Sequence, residues 1–146
     1  MTSGLFSNPG QANYDAAKSG IATLSQVCAK ELSRYGVRSN TIAPGARTRL
    51  TEATPGLSDV VKPPDEGFDE WDPANVSPFV AYLGTEDCPL TGRAFLVYGG
   101  SVQLFQPWTI VDTIEKDDRW TIEELAEQAA KFDVKFDLGS RFTQMS

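Results

Sequence analysis

A tyrosine and a lysine four residues apart are the residues of this 146-residue sequence best suited to chemistry. Tyr14 and Lys18 lie at the start of a helical pattern, and side chains four apart project from one helix face. An ammonium a few ångströms from a phenol favours the phenolate, so such a tyrosine can exchange a proton with an alcohol or carbonyl near neutral pH. Taken alone, the spacing favours two solvent-exposed helix residues, and both interpretations stay open here.

The composition excludes several other kinds of chemistry. The chain contains no histidine, which rules out Ser-His-Asp and Cys-His catalysis and any histidine-ligated metal. Its two cysteines, Cys28 and Cys88, are too few for a disulfide framework or a cysteine-rich zinc site. We therefore expect no metal site.

The charge distribution limits the kinds of partner that the protein can bind, and the hydropathy limits where it can be located. The net charge is −7, although residues 1–50 carry six Lys and Arg against two Asp and Glu. An acidic chain is a poor ligand for nucleic acid, whereas the basic first third is either a solvated surface or a site for an anionic small molecule. No apolar run approaches the roughly 18 residues that span a bilayer, and no signal peptide is recognisable, so we expect a cytoplasmic protein without membrane association.

Local patterns predict a helix, two short strands and a long loop. The helix runs from about Ala12 to Tyr35 and ends at Gly36, a residue typical of helix C-termini. Strands are predicted over 37–43 and 94–98, and residues 52–75 read as a surface loop. Five apolar residues recur at helical spacing and predict the buried face of the helix: Ala17, Ile21, Leu24, Cys28 and Leu32.

The remaining segments complete an α/β pattern. Residues 1–11 read as a loop, residues 76–83 as a short helix, and residues 122–132 as a helix begun by a capping box of Thr121 and Glu124. Helices alternating with short strands predict an α/β fold with a parallel sheet. Two strands alone are too few for such a sheet to form a core.

Three segments in sequence carry a resemblance to a known family. The run Asn8 to Gly20, the stretch Arg38 to Gly45, and the strand between Thr91-Gly92 and Gly99-Gly100 resemble the short-chain dehydrogenase/reductase family in order and spacing. The resemblance covers residues 3 to about 103 and looks closest to actinobacterial 3-oxoacyl-thioester reductases and 3-hydroxyacyl-CoA dehydrogenases. It implies the C-terminal half of a Rossmann-like, doubly wound parallel sheet over residues 1–106, followed by a helical extension over 107–146.

The resemblance also implies a role for each matching residue. Tyr14 would be the general acid or base of hydride transfer between a carbonyl and an alcohol, and Lys18 would bind the ribose hydroxyls of NAD or NADP. Pro44, Gly45 and Thr48 would line the nicotinamide side of the cofactor cleft. Residues Thr51–Asn75 would form a mobile lid over a 3-oxoacyl or 3-hydroxyacyl thioester.

The sequence lacks other family features. It contains no Gly-x-Gly, the core of the turn that cradles dinucleotide phosphates. The family's catalytic serine falls at Met1, and Ser3 lies two residues too late. We therefore expect a truncated product or a late start, with no tight cofactor binding and no activity by the chain alone.

Two alternatives to a fragment of an oxidoreductase stay open. The chain could be a non-catalytic module that pairs with itself or with an intact relative through uncovered apolar faces. It could also be a truncated product that folds poorly and has no function of its own.

Overall fold

A computed structural model describes residues 3–7, 9–54 and 56–132 of the chain. Met1 and Asn8, both named above as family positions, lie outside the described residues. The chain divides into two compact units, the first ending at Phe105 and the second beginning at Gln106. In the described part of the chain, no helix has the length and apolar character needed to cross a bilayer.

The predicted long helix is confirmed. Helix α2 spans Ala12–Leu32 and continues as a 3-10 turn over Ser33–Tyr35. It ends at Gly36, whose φ of 72° lies in the left-handed region that glycine adopts without steric cost.

The predicted buried face of α2 is wrong. Leu24 is 61% exposed and Ile21 is 45% exposed, whereas the buried residues are Ala22 and Ala29. The reason is close backbone approach: a Cβ added to Gly92 would lie 3.4 Å from the Ala29 Cβ. The side of α2 that packs on this unit therefore needs small residues, and its large apolar side chains point elsewhere.

The sheet has three strands in the order β1-β2-β3. β1 (Thr41–Pro44) pairs in parallel with β2 (Ala94–Tyr98), and β3 (Ser101–Leu104) pairs antiparallel with β2. The parallel pair confirms the α/β interpretation, but β1 begins four residues later than predicted at Val37, and β3 was not predicted. Residues Ala94–Val97 are buried, as expected of a central strand covered on both faces.

Short helices flank the sheet. α3 spans Arg49–Glu52, and α4 spans Ser77–Leu83 after a 3-10 turn over Pro73–Val76. The Phe79 ring of α4 meets the Phe95 ring of β2 edge-on at 5.0 Å. This contact packs α4 against the central strand.

The N-terminal loop prediction is wrong in part, because Ser3–Phe6 form one helical turn, α1. Tertiary contacts hold this turn. The Ser19 hydroxyl of α2 donates to the Gly4 carbonyl, and the Phe6 ring lies 5.1 Å from the Phe105 ring. Neither partner is near α1 in sequence, so local signals alone indicate a loop.

The second unit contains helix α5 over Ile122–Ala129, three residues shorter than predicted. Its capping box is confirmed: Thr121 Oγ1 accepts from Glu124 N at 3.2 Å, and Glu124 Oε2 accepts from Thr121 N at 2.8 Å. Lys116 Nζ also donates to Glu124 Oε2 at 2.7 Å. Three hydrogen bonds thus meet at the N-terminus of α5.

Gly45 lies where a side chain cannot fit. An added Cβ would be 2.9 Å from the Tyr98 Cβ, so we expect Gly45→Ala to destabilise the protein by about 1–3 kcal/mol through overpacking. Urea unfolding followed by circular dichroism measures this change. Gly100→Ala is the matched control, because a Cβ there meets nothing within 4 Å. Equal stability of the two variants would contradict the prediction.

Acid should weaken the N-terminus of α5. The Lys116 ammonium and the Thr121 amide lower the pKa of Glu124 from 4.5 to about 2. The carboxylate therefore stabilises the helix fully above pH 4.5, and this contribution is lost as the pH falls toward 2. An NMR titration of the Glu124 carboxyl measures its pKa, which Lys116→Met should raise and Lys131→Met should leave in place. A Glu124 pKa near 4.5 in the unsubstituted protein would refute the assignment.

Candidate active site

The structure places Tyr14 and Lys18 together on one face of α2, as their spacing predicts. Lys18 Nζ lies over the Tyr14 ring, 5.4 Å from its centroid. Tyr14 is 42% exposed and Lys18 is half-buried. The phenol can therefore meet a ligand from solvent, while the ammonium stands beside it.

Helix α1 packs against α2 beside Lys18, and the closest approach is at Gly4. A Cβ added to Gly4 would lie 2.5 Å from the Lys18 Cβ and 3.1 Å from Ser19 N. Only glycine allows the two helices to approach this closely, so Gly4 fixes where the Lys18 side chain leaves the helix. The sequence offered no signal for this role beyond the presence of a glycine.

Contacts of α2 with residues before the strands place the second half of this helix at the amino edge of the sheet. Ser25 Oγ is 2.9 Å from Ser39 Oγ, and Ala29 lies against Gly92. Ser39 and Gly92 both precede their strands. Tyr14 and Lys18 lie in the other half of α2, and ligands of open α/β sheets bind at the carboxyl edge.

The predicted cofactor residues lie at the same carboxyl edge. Pro44 ends β1, and Gly45 N extends the ladder by donating to Val97 O at 2.9 Å. The backbone at Gly45 is covered on one side by Tyr98 and Trp71, whose rings stack with centroids 5.9 Å apart and an interplanar angle of 18°. The sequence analysis did not single out either aromatic residue.

Thr48 caps helix α3. Its hydroxyl accepts from Thr51 N at 3.2 Å, and its own amide donates to Thr51 Oγ1 at 2.8 Å. The hydroxyl is exposed but already engaged within the turn, so its structural role is to begin α3. A contact between Thr48 and a cofactor stays a prediction.

Residues 51–75 are tied to the sheet edge by Arg47. Its guanidinium donates to both Asp69 oxygens, Nη1 to Oδ1 at 3.1 Å and Nη2 to Oδ2 at 2.5 Å. The Arg47 hydrogen bond lowers the pKa of Asp69, and the same bond raises the pKa of Arg47. The ion pair thus favours the charged form of both groups, and the predicted lid is an anchored segment in this structure.

Comparisons with known proteins relate this chain to short chain dehydrogenases. A family model for short chain dehydrogenases matches residues 2–58. The hydroxyacyl-CoA dehydrogenase ChsB1 of Mycobacterium tuberculosis is 39% identical over 105 residues, covering 71% of this chain and 32% of that protein.

Solved structures extend the likeness to the fold. A short chain dehydrogenase from Mycobacterium avium superposes with a TM-score of 0.72 at 43% identity, covering 89% of this chain and 41% of that one. A 4-hydroxyisoleucine dehydrogenase complexed with NADH gives a TM-score of 0.55 at 28% identity, over 68% of this chain and 43% of that one.

This chain spans about a third of the length of the curated relatives that it matches. The family match covers the helix with Tyr14 and Lys18 as well as the turn after β1, and the Mycobacterium avium fold covers most of the chain. The chain accordingly belongs to the short-chain dehydrogenase/reductase family.

Proposed function

We propose that the chain forms part of an NAD(P)-dependent oxidoreductase that interconverts a carbonyl and an alcohol, with Tyr14 as the general acid or base. The observation that carries the proposal is the Lys18 ammonium 5.4 Å from the Tyr14 ring centroid, on the N-terminal part of α2. An exposed phenol beside a cation is suited to proton transfer. The sequence contains no histidine that could take this role instead.

Tyr14 and Lys18 divide the work of proton transfer. A bound nicotinamide would supply the hydride to the carbonyl carbon or accept it from the alcohol. As the carbonyl π electrons move to oxygen, that oxygen takes the proton from Tyr14 Oη, which leaves a phenolate. The Lys18 ammonium stabilises the phenolate, and the same groups act in reverse when an alcohol is oxidised.

The residues present fit one side of such a cofactor. Tyr98 and Trp71 cover one side of the Gly45 backbone, so a flat nicotinamide would have to approach from the other side. Lys18 can donate hydrogen bonds to ribose hydroxyls. The 146 residues contain no Gly-x-Gly turn for the phosphates. We therefore infer that the chain alone binds NAD or NADP weakly and has no measurable turnover.

The substrate class that we propose is a 3-oxoacyl or 3-hydroxyacyl thioester. The support is the 39% identity to a hydroxyacyl-CoA dehydrogenase, together with the segment 51–75 that borders the Gly45 turn. A cytoplasmic location stays a prediction from the sequence.

The exposed apolar face of α2 favours a second candidate function. Leu24 is 61% exposed, and Ile21 and Val27 are each more than 40% exposed. Such a face suits pairing with another copy or with an intact relative. Sedimentation of the purified chain distinguishes the candidates, since a monomer that stays folded at high concentration would argue against an association module.

The proton-transfer role can be tested by supplying the missing phosphate-binding part of the fold as a second chain. We expect the chain mixed with the unmatched portion of the Mycobacterium avium enzyme to oxidise NADH or NADPH with acetoacetyl-CoA, and the chain alone to do so negligibly. Tyr14→Phe should lower this rate by about 100-fold or more, because the proton donor is lost. Lys18→Met should also lower it and should weaken cofactor binding.

Tyr35→Phe is the matched control, because Arg34 lies over the Tyr35 ring at 4.7 Å near the other end of the same helix. Its rate should equal that of the unsubstituted chain. Tyr14→Phe turning over at the control rate would refute the general-acid assignment. Folded mixtures that reduce neither acetoacetyl-CoA nor simple ketones would count against the oxidoreductase proposal.

A further inference from the structure

We propose that Arg47 and Asp69 are positioning residues for the cofactor turn, because their ion pair holds Trp71 against Gly45 and Tyr98. The contact itself is read from the geometry, and its importance for the cofactor rests on the function proposed above.

Arg47 connects both ends of the segment that follows β1. Its backbone amide donates to Trp71 O at 2.7 Å, while its side chain binds both oxygens of Asp69. Nη1 also donates to Val61 O at 3.0 Å, and Nε lies 3.8 Å from a carboxylate oxygen of Glu52. One residue thus holds four separate points of the segment 52–71.

Asp69 transmits this anchoring to Trp71. Its Oδ1 accepts from Trp71 N at 3.1 Å as well as from Arg47, so the indole starts from a fixed backbone position. Trp71 Cζ3 lies 3.6 Å from where a Gly45 Cβ would be, and the indole stacks on Tyr98. A displacement of Trp71 would therefore directly change the packing around the Gly45 backbone.

Asn75 also holds the segment, since its Nδ2 donates to Asp69 O at 2.8 Å and to Glu70 O at 3.3 Å, but apolar burial contributes less. Val61 is its buried apolar side chain within residues 49–54 and 56–72, and Phe68 is 66% exposed. Its second half carries Asp65, Glu66, Asp69, Glu70 and Asp72, which repel one another. The side chains of Arg47 and Asp69 are only 18% and 21% exposed, so water competes weakly for this pair.

A lysine cannot replace this arginine. The guanidinium presents parallel N–H donors to both carboxylate oxygens and has a further donor for Val61 O, whereas an ammonium makes one directed contact with Asp69 at a time. Arg47→Lys keeps the charge and removes the fork, which makes it a mild and specific test. Arg49→Lys, two residues later on the exposed face of α3, is the matched control.

The experiment uses the full chain and needs no turnover. We expect Arg47→Lys and Asp69→Asn to speed chymotrypsin cleavage after Phe68 by roughly three- to tenfold, since the segment opens more often. Both variants should also shift the NMR signals of the Gly45 amide and the Trp71 indole, with far-UV circular dichroism unchanged. The double variant should resemble either single variant, because both remove the same pair.

Three results would overturn the proposal. One is cleavage of Arg47→Lys at the rate of Arg49→Lys; another is faster cleavage with unchanged Gly45 and Trp71 signals, which would limit the pair to holding the loop. The third is additive loss in the double variant. Inactivity of the complemented enzyme, or an active Tyr14→Phe, would count against the proposed function and would leave these readouts intact.

Discussion

The parallel hydrogen bonding between β1 and β2 fixes the sheet edge around which the candidate site residues are arranged. Thr41 N donates to Arg93 O where the pairing begins, and Gly45 N donates to Val97 O where it ends. β2 is buried along Ala94–Val97, so its backbone N–H and C=O groups depend on this pairing for their hydrogen bonds. The pairing thereby fixes where β1 ends and where the turn at Gly45 begins.

Elements with local signals could be predicted from the sequence, and elements made by distant contacts could not. Gly36 and the Thr121–Glu124 capping box mark helix ends within a few residues of the positions seen. α1 forms because Gly4 and Phe6 contact residues far along the chain, which no local pattern records. β3 has a local signal that the sequence pattern reveals only in part. The Gly99-Gly100 pair predicts the end of a strand, and it is also the turn of the hairpin that joins β2 to β3.

The incorrect buried face of α2 shows what periodicity can and cannot establish. The spacing of Ile21, Leu24 and Leu32 correctly indicates one apolar side of a helix. Which side packs on this chain depends on the shape of the partner, and here close backbone around Ser39 and Gly92 selects Ala22 and Ala29. The matched parts of two relatives make up only 33% and 32% of their length, and an exposed apolar face suits packing against further surface of such a fold.

The proximity of Tyr14 and Lys18 could be predicted because the two residues lie about one helical turn apart, whereas the groups that position the turn after β1 come together only in the fold. From the sequence, residues 52–75 are predicted to be a solvated loop, because the second half contains five acidic residues. The composition does not show that the Arg47 guanidinium binds one of these residues, Asp69. That guanidinium needs a carboxylate already held in place, and the Trp71 amide holds Asp69. The order of the segment therefore depends on a few polar contacts and on little buried area. A segment of this kind is expected to open at a lower free energy than the buried strands beside it, so it can move while the strand pairing stays intact.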